Sequence, residues 1–372
     1  MDSIRSELGF LFSGKGMPYE KVCLMIAMII TVFLSVLLGG NFAKDTPVVV
    51  IDLDNSHYSR TLIDNMNASQ YIKVTLVFNN AVDPEIFFYR DDAAAVVYIP
   101  RELEKNVNTG VTAPIGVFYD NTNTALTADV KNILNEIVAT ENAKLAGNQV
   151  GGGLSLRDRN LFNPSGSTEN AQTEGFLFFF GSMFFVFATI GMVPRLRMTN
   201  ELDAILANGT PWDLVLRLVP YGFGLLTSFV VGMAVLRIWG DMVFSGELLS
   251  FLFIQFFFIL AVGMLSLLFG WNAANPGIAS SRMILFIPGG FILGGVTSPL
   301  THLSPWVVTL SHIFPLTWEF HFVRDIVMRG ATLTDLSKEV GMFFIYVGII
   351  AILLVLRFYK DKQALLGEKA VA

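Results

Sequence analysis

The segment "GFLFSGKG", residues 9–16, has the spacing of a phosphate-binding loop, G-x-x-x-x-G-K-[S/T]. In such a loop, backbone N–H groups and the Lys bind phosphate, the next Ser or Thr holds Mg²⁺, and a buried strand comes first. Here Gly16 stands at the magnesium position, Pro18 interrupts the expected helix, and only eight residues precede the motif. We therefore predict no cofactor in this chain, and neither ATP nor magnesium bound by it.

Two acidic residues end the apolar segment "VVVIDLDNS" and could do chemistry at the carboxyl end of a strand. Asp52 and Asp54 have the D-x-D spacing of magnesium-dependent phosphatases and also begin like a calcium loop. The calcium pattern fails because His57 replaces its Gly and Ile63 replaces its Glu. The phosphatase needs a partner Lys and further acids that the sequence does not place. The other interpretation is a strand that ends in a helix cap, which Asx side chains favour.

Histidine and cysteine offer no metal or nucleophile chemistry. None of the four histidines has a second one at the i+3 or i+4 spacing that presents two ligands on one helix face. The single cysteine, Cys23, lies in an apolar run and cannot form a disulfide within the chain. We predict no metal site and no catalytic residue.

The composition indicates a membrane protein. Of 372 residues, 53 % are hydrophobic and only 15 % charged, and 33 are Phe. The net charge of −6, without basic clusters among aromatics, argues against nucleic-acid binding.

Six apolar segments are long enough to be membrane spans. The first is residues 22–43, after an amphipathic helix predicted over 1–21 on the membrane surface. A signal peptide is the alternative for this segment, but its apolar run is long and the following "GGNFAKD" is a poor cleavage site. The other five predicted spans are 175–193, 214–238, 248–271, 283–296 and 341–358.

The distribution of basic residues predicts that both termini are cytoplasmic. Basic residues flank the predicted inner ends of the spans, whereas the loop "GDMVFSGE" between the third and fourth spans has none. Residues 44–172 and 301–340 are then outside. Arg324, Arg329 and Lys338 in the second outside stretch run against this rule, and a re-entrant segment accommodates them.

Strand and helix signals alternate in the outside segment, residues 44–172, which predicts an α/β domain. The predicted strands are "PVVVIDLD", "YIKVTLVF", "AAAVVYIP" and "PIGVFYD". Helices are predicted after Ser56, after Asp83, over "RELEKNVN" and from Thr124 to about Leu145. A short piece between two flexible connectors before residue 172 is unassigned.

Two further stretches are informative. "PRLRMTNELDAILANGTPWDLVLRLVPY", on the cytoplasmic side, is amphipathic, with Leu202 and Leu206 at helical spacing and Glu201 and Asp203 on the polar face. It either rests on the lipid surface or docks into the socket of a soluble motor. Residues 288–333 are rich in Pro and Gly and predict either a broken re-entrant path or an exposed loop.

These stretches resemble the permease subunits of the ABC type-2 transporter family, the membrane half of ATP-binding-cassette exporters. "RLRMTNELDAILANGTPWDLVL" is similar to the family pattern R-E-R-E-x-G-T-L-E-x-L-L-x-T-P, although Leu196 and Met198 occupy the region of its two glutamates. Pro315, Thr317, Arg324 and Gly330 fit a second pattern of the family. "IDLDNS", "VYIPRELE" and "DNTN" resemble phrases of its members that have a large outside domain.

The resemblance implies a multi-pass protein of the bacterial inner membrane that pairs with a second, identical or different, permease. A separate ATPase binds ATP and magnesium and docks under a coupling helix, about 199–208. The candidate coupling residues are Arg195, Arg197, Glu201, Leu202 and Asp203.

The aromatic outer half and scarcity of charge in the spans suit export of a hydrophobic or amphipathic substrate, such as a drug, a lipid or an envelope precursor. The candidate path residues are Phe179, Met183, Phe291 and Trp318. The outside domain could pass substrate to a periplasmic adaptor. The alternative function is a receptor or envelope-assembly factor that binds a ligand or partner without transport.

Overall fold

The computed structural model describes residues 45–69, 71–89, 92–147, 152–163, 168–239, 242–296, 300 and 303–371. The predicted amphipathic helix (1–21) and first span (22–43) lie outside these residues.

An α/β domain with one five-stranded sheet forms the first half of the described chain. Its strands are β1 (Thr46–Asp52), β2 (Ile72–Phe78), β3 (Ala95–Ile99), β4 (Ala113–Asp120) and β5 (Leu154–Leu161). The strand order is β2-β1-β3-β4-β5, and only the β3–β4 pair is antiparallel. The four predicted strands are confirmed, and β5 is the piece left unassigned. Its central residues, Arg157, Asp158 and Arg159, are exposed at the sheet edge, so its sequence has a weak strand pattern.

Helices cover one face of the sheet, as the alternating pattern predicts. They are α1 (His57–Asn67), α2 (Leu103–Asn108) and α3 (Thr124–Gly147). Val48 and Val50 belong to the core on this side, whereas Val49 and Ile51 pack with Phe87 and neighbouring residues of the other face. Burial on both faces explains the continuous apolar run of β1.

The second half of the described chain is helical. It contains α4 (Thr168–Thr189), α5 (Met192–Met198), α6 (Glu201–Asn208), α7 (Pro211–Leu216), α8 (Val219–Trp239), α9 (Leu248–Gly270), α10 (Pro276–Ser281), α11 (Ile287–Leu293), α12 (Pro305–Ser311), α13 (Pro315–Phe322) and α14 (Ser337–Val371). A 3₁₀ turn, Arg282–Leu285, separates α10 from α11, and a π-helix, Val323–Met328, continues α13.

Five segments of the described chain are long and apolar enough to cross a membrane. They are Gly175–Met198, Val219–Trp239, Leu248–Gly270, Pro276–Leu293 and Ser337–Gly367. These overlap the five predicted spans after the first, with ends that differ by up to nine residues; for example, the second span ends at 198 rather than 193 and the fifth begins at 276 rather than 283. The third predicted span begins at 219 rather than 214, because α7 precedes it. The fifth is interrupted by the 3₁₀ turn, and the last extends beyond 358.

The spans pack closely through aromatic rings and small residues. The Phe178 ring centroid lies 4.6 Å from that of Phe229 and 6.3 Å from that of Phe251. α4 and α9 also meet at their other end, where Ser266 Oγ donates a hydrogen bond to Thr189 Oγ1 at 2.8 Å. A Cβ atom added at Gly270 would collide with the Ile190 carbonyl, so glycine is required there for the close approach.

The proline-rich segment is a series of short helices. Pro305 and Pro315 stand at the first turns of α12 and α13, where the missing N–H costs nothing. Every residue of α13 except His321 is buried. The exposed-loop alternative is therefore wrong for Pro315–Phe322.

Candidate functional site

Three short helices contain the predicted coupling residues: α5 ends the span Gly175–Met198, and α6 and α7 connect it to the next span. Thr199 and Asn200 form a turn rather than the start of α6, and Asn200 has a left-handed φ of 59°. Asn tolerates this conformation better than most residues do. A capping box of Thr210 and Asp213, with Pro211 in the first turn, begins α7.

Amphipathicity gives α6 one buried and one exposed face. Leu202 is 2 % exposed and Leu206 is also buried, and the helix packs against α14. Glu201 and Asp203 are exposed. Of the candidate coupling residues, Leu202 thus belongs to the core, and the two acids remain on the accessible face.

The two candidate arginines differ in position. Both are exposed, but Arg197 also donates hydrogen bonds to the carbonyls of Trp271 and Ala273, at 2.7 and 3.2 Å. These hydrogen bonds connect α5, which contains Arg197, to the loop after α9. On the accessible face, Glu201 forms an exposed ion pair with Arg217 at 3.3 Å.

Further polar residues hold this surface together, and the sequence analysis did not single them out. Trp271 Nε1 donates to Asp361 Oδ2 at 2.7 Å, and Asp361 pairs with Arg357 at 3.1 Å. Lys362 Nζ donates to the Gly209 carbonyl at 3.2 Å. In the sequence, Arg357, Asp361 and Lys362 belong to the run "RFYKDK", whose basic residues indicate the inner end of the last predicted span. Because α14 is long, it reaches α6 and α7 and places these residues beside them.

The four candidate path residues fall into two groups. The rings of Phe179 and Phe291 lie 4.4 Å apart, and Met183 is one helical turn from Phe179 on α4. Trp318 is buried elsewhere: its Nε1 donates to the His312 carbonyl at 2.9 Å, and its ring packs against Phe343. The structure places Phe179 and Phe291 in direct ring contact, and Trp318 makes its ring contacts with other residues of the same hydrophobic cluster.

An ionic network connects the α/β domain to the π-helix. Arg329 pairs with Asp120 at the end of β4 and with Asp325 of the π-helix, and all three side chains are buried. His321 Nε2 lies 3.3 Å from the second oxygen of Asp325. Arg329, one of the basic residues that ran against the predicted orientation, is therefore paired with a carboxylate of the α/β domain and one of the π-helix.

The D-x-D pair has structural roles. Asp52 is buried and accepts hydrogen bonds from Ser59 Oγ at 2.7 Å and from the Asp54 N–H at 3.0 Å. Asp54 caps α2 by accepting from the N–H groups of Leu103 and Glu104, at 3.0 and 3.1 Å. β1 thus ends at Asp52 and runs into the Ser56 cap of α1, as the helix-cap interpretation predicted, and the cap that Asp54 provides for α2 was not predicted. In the described part of the chain, no three His, Cys, Asp or Glu side chains are grouped to hold a metal ion.

The fold and this surface define a class: a multi-pass membrane protein with an inserted α/β domain and a tied-down amphipathic helix between two spans. Residues 22–358 match the model of a family described as "ABC-2 family transporter protein". The chain belongs to this family, which confirms the resemblance.

Two relatives are both named "Probable multidrug ABC transporter permease YbhR". One is from Escherichia coli strain K12 and the other from Escherichia coli O157:H7, and this chain is 22 % identical to each over 340 residues. The similarity covers 89 % of this chain and 90 % of each relative. No solved structure matches the chain.

Proposed function

We propose that this chain is the permease subunit of an ATP-driven exporter in the bacterial inner membrane. A separate cytoplasmic ATPase supplies the energy and docks on the exposed face of α6. The permease pairs with a second permease subunit and moves a hydrophobic or amphipathic substrate outward. The family membership and the multidrug permease relatives support the transport role.

The observation that carries the docking proposal is the arrangement of α6. Its buried leucines fix the helix to α14, and the Arg197 hydrogen bonds fix the preceding helix, α5, to the loop after α9. Force applied to such a helix passes directly to the spans. Its exposed face offers Glu201 and Asp203, and surface charges of this kind steer and orient a partner.

Both termini are proposed to be cytoplasmic, with the α/β domain outside. The Arg329–Asp120 pair supports this orientation, since it fixes the end of the π-helix on the same side as the α/β domain. Arg329 then needs no cytoplasmic position to satisfy its charge.

The test is purification of the chain in detergent with its co-expressed neighbours, followed by ATPase assays. We expect an ATPase to co-purify and Glu201→Ala with Asp203→Ala to weaken its binding or stimulation. The matched control, Glu85→Ala with Glu136→Ala, removes two exposed carboxylates from the α/β domain and should change neither. A stable complex without any ATPase would instead favour the receptor or assembly function.

The α/β domain is also proposed to meet a periplasmic adaptor, on account of its size. A pull-down with candidate envelope proteins tests this partner. Capture that persists after removal of residues 44–172 would contradict the proposed contact.

A further inference from the structure

One buried carboxyl group, that of Glu319, is not part of the surface formed by α5, α6 and α7, which we call the coupling surface. Glu319 lies on α13, is 1 % exposed, and faces α9, where Gln255 Nε2 donates to its Oε1 at 2.5 Å. The cations nearest in sequence have other partners. His321 lies beside Asp325, Arg324 donates to the Gly295 carbonyl, and Arg329 pairs with Asp120 and Asp325.

Two hydrogen-bond acceptors of this pair are unused among the described residues. Glu319 Oε2 and Gln255 Oε1 are both buried and have no partner. A buried acceptor without a donor is costly, and a buried carboxylate without a cation costs more. With α13 closed against α9, a proton on the carboxyl group removes the charge.

The pair lies at membrane depth in the proposed orientation. Gln255 is the eighth residue of α9, about 10 Å from the outer end of the helix at 1.5 Å per residue. Phe251 and Phe258 share its helix face and are buried, and Phe322 follows Glu319 by one turn. Ionisable residues at such depth mark functional sites by default.

The carboxyl group belongs to a short helical segment that is separate from the spans. Pro315 begins α13, and a π-helix continues it to Met328. π-Helical turns are found mostly at functional sites. Movement of α13 away from α9 would expose both unused acceptors at once.

We propose that Glu319 and Gln255 form a recognition site for the ammonium group of an amphipathic amine. An ammonium group supplies the missing positive charge and several N–H donors for the two acceptors. The neighbouring aromatic rings suit both the cation and its alkyl chain. When α13 opens, the carboxyl proton leaves to water and the ammonium group takes its place.

This inference rests on the proposed export function and names a substrate class for it. The first test is binding of dodecylamine to the permease–ATPase complex in lipid nanodiscs, with protein-free nanodiscs subtracted. Dodecanol has the same chain and a neutral head group, and it is the matched probe. We expect the wild type to prefer the amine by about tenfold or more, since a charged hydrogen bond is lost with the alcohol.

Two variants locate the preference. Glu319→Gln keeps the size of the side chain and one acceptor oxygen but removes its charge, and it should abolish the preference while leaving dodecanol binding unchanged. Gln255→Leu should weaken amine binding several-fold. Glu319→Gln that retains the wild-type preference would overturn the proposal, as would equal loss of both probes.

Transport assays separate this site from the export function. If the wild type binds the amine through Glu319 but exports no amphiphile, the export proposal fails and the site stands. If it exports the neutral probe but shows no preference that depends on Glu319, the site fails and export stands.

Discussion

Arg329 offers the sharpest prediction about stability, because it joins the α/β domain to the helical segment from a fully buried position. Its side chain is 1 % exposed, and its partners Asp120 and Asp325 are 7 % and 0 % exposed. Arg329→Gln would remove the guanidinium that both buried carboxylates share, and Asp325 would keep His321 as its basic neighbour. Removal of one member of a buried ion pair typically costs about 3–5 kcal/mol. With two carboxylates left behind, we expect the upper part of that range.

The assay is thermal unfolding of the purified protein in detergent. A loss of this size lowers the melting temperature by on the order of 10 °C in a domain of ordinary size. Lys105→Gln is the matched control, since Lys105 pairs with Glu102 at 3.2 Å and both side chains are more than half exposed. An exposed pair contributes about 0–1 kcal/mol.

A double-mutant cycle with Asp120→Asn assigns the effect to the contact between the two parts of the chain. The double variant should lose less than the sum of the two single losses, since the partners act together. If Arg329→Gln changes stability no more than Lys105→Gln does, the network does not stabilise the protein and the reasoning is wrong.

Two further predictions concern local structure. Gly270→Ala should destabilise the helical part strongly, because the new Cβ atom meets the Ile190 carbonyl, whereas Gly341→Ala, with nothing within 4 Å, should be neutral in the same melting assay. Hydrogen bonds from the Thr210 backbone N–H and then its hydroxyl hold the pKa of Asp213 below its usual value of 3.8. A lowered pKa in the folded state stabilises the protein above the unfolded value and is lost as the pH falls through the folded value. The stability advantage of the wild type over Asp213→Asn should therefore be present at neutral pH and vanish below 3.8; an advantage that persists in acid would contradict the cap.

In the coupling surface, the sequence pattern predicts the orientation of a helix but not the hydrogen-bond partners of its neighbours. The spacing of Leu202 and Leu206 against Glu201 and Asp203 was sufficient to orient α6, because helical periodicity decides which side faces the core. The partners of Arg197 were not predictable. They are carbonyls more than seventy residues away, and any residue type can supply a carbonyl.

In the α/β domain too, local sequence predicts some elements, whereas others depend on tertiary contacts. The run "VVVID" and the Ser56 cap of α1 are local signals, and both elements lie where predicted. β5 has three exposed polar residues in its centre, and only its pairing with β4 makes it a strand. A weak local pattern of this kind needs the neighbouring strand to complete its hydrogen bonds.

By itself, the sequence determined that the chain is a membrane protein and where its five described spans lie, with ends off by up to nine residues, because hydrophobic length is a local property of the chain. Its motifs determined which family it resembles. Only the tertiary structure decided which polar groups meet. Asp120 and Arg329 are separated by 209 residues, and Gln255 and Glu319 by 64. Neither pair has a sequence signature, since an ion pair or a buried hydrogen bond depends on where the packed helices and strands place two side chains. The structure therefore paired Arg329 with the α/β domain and buried Glu319 against α9, and periodicity could predict neither.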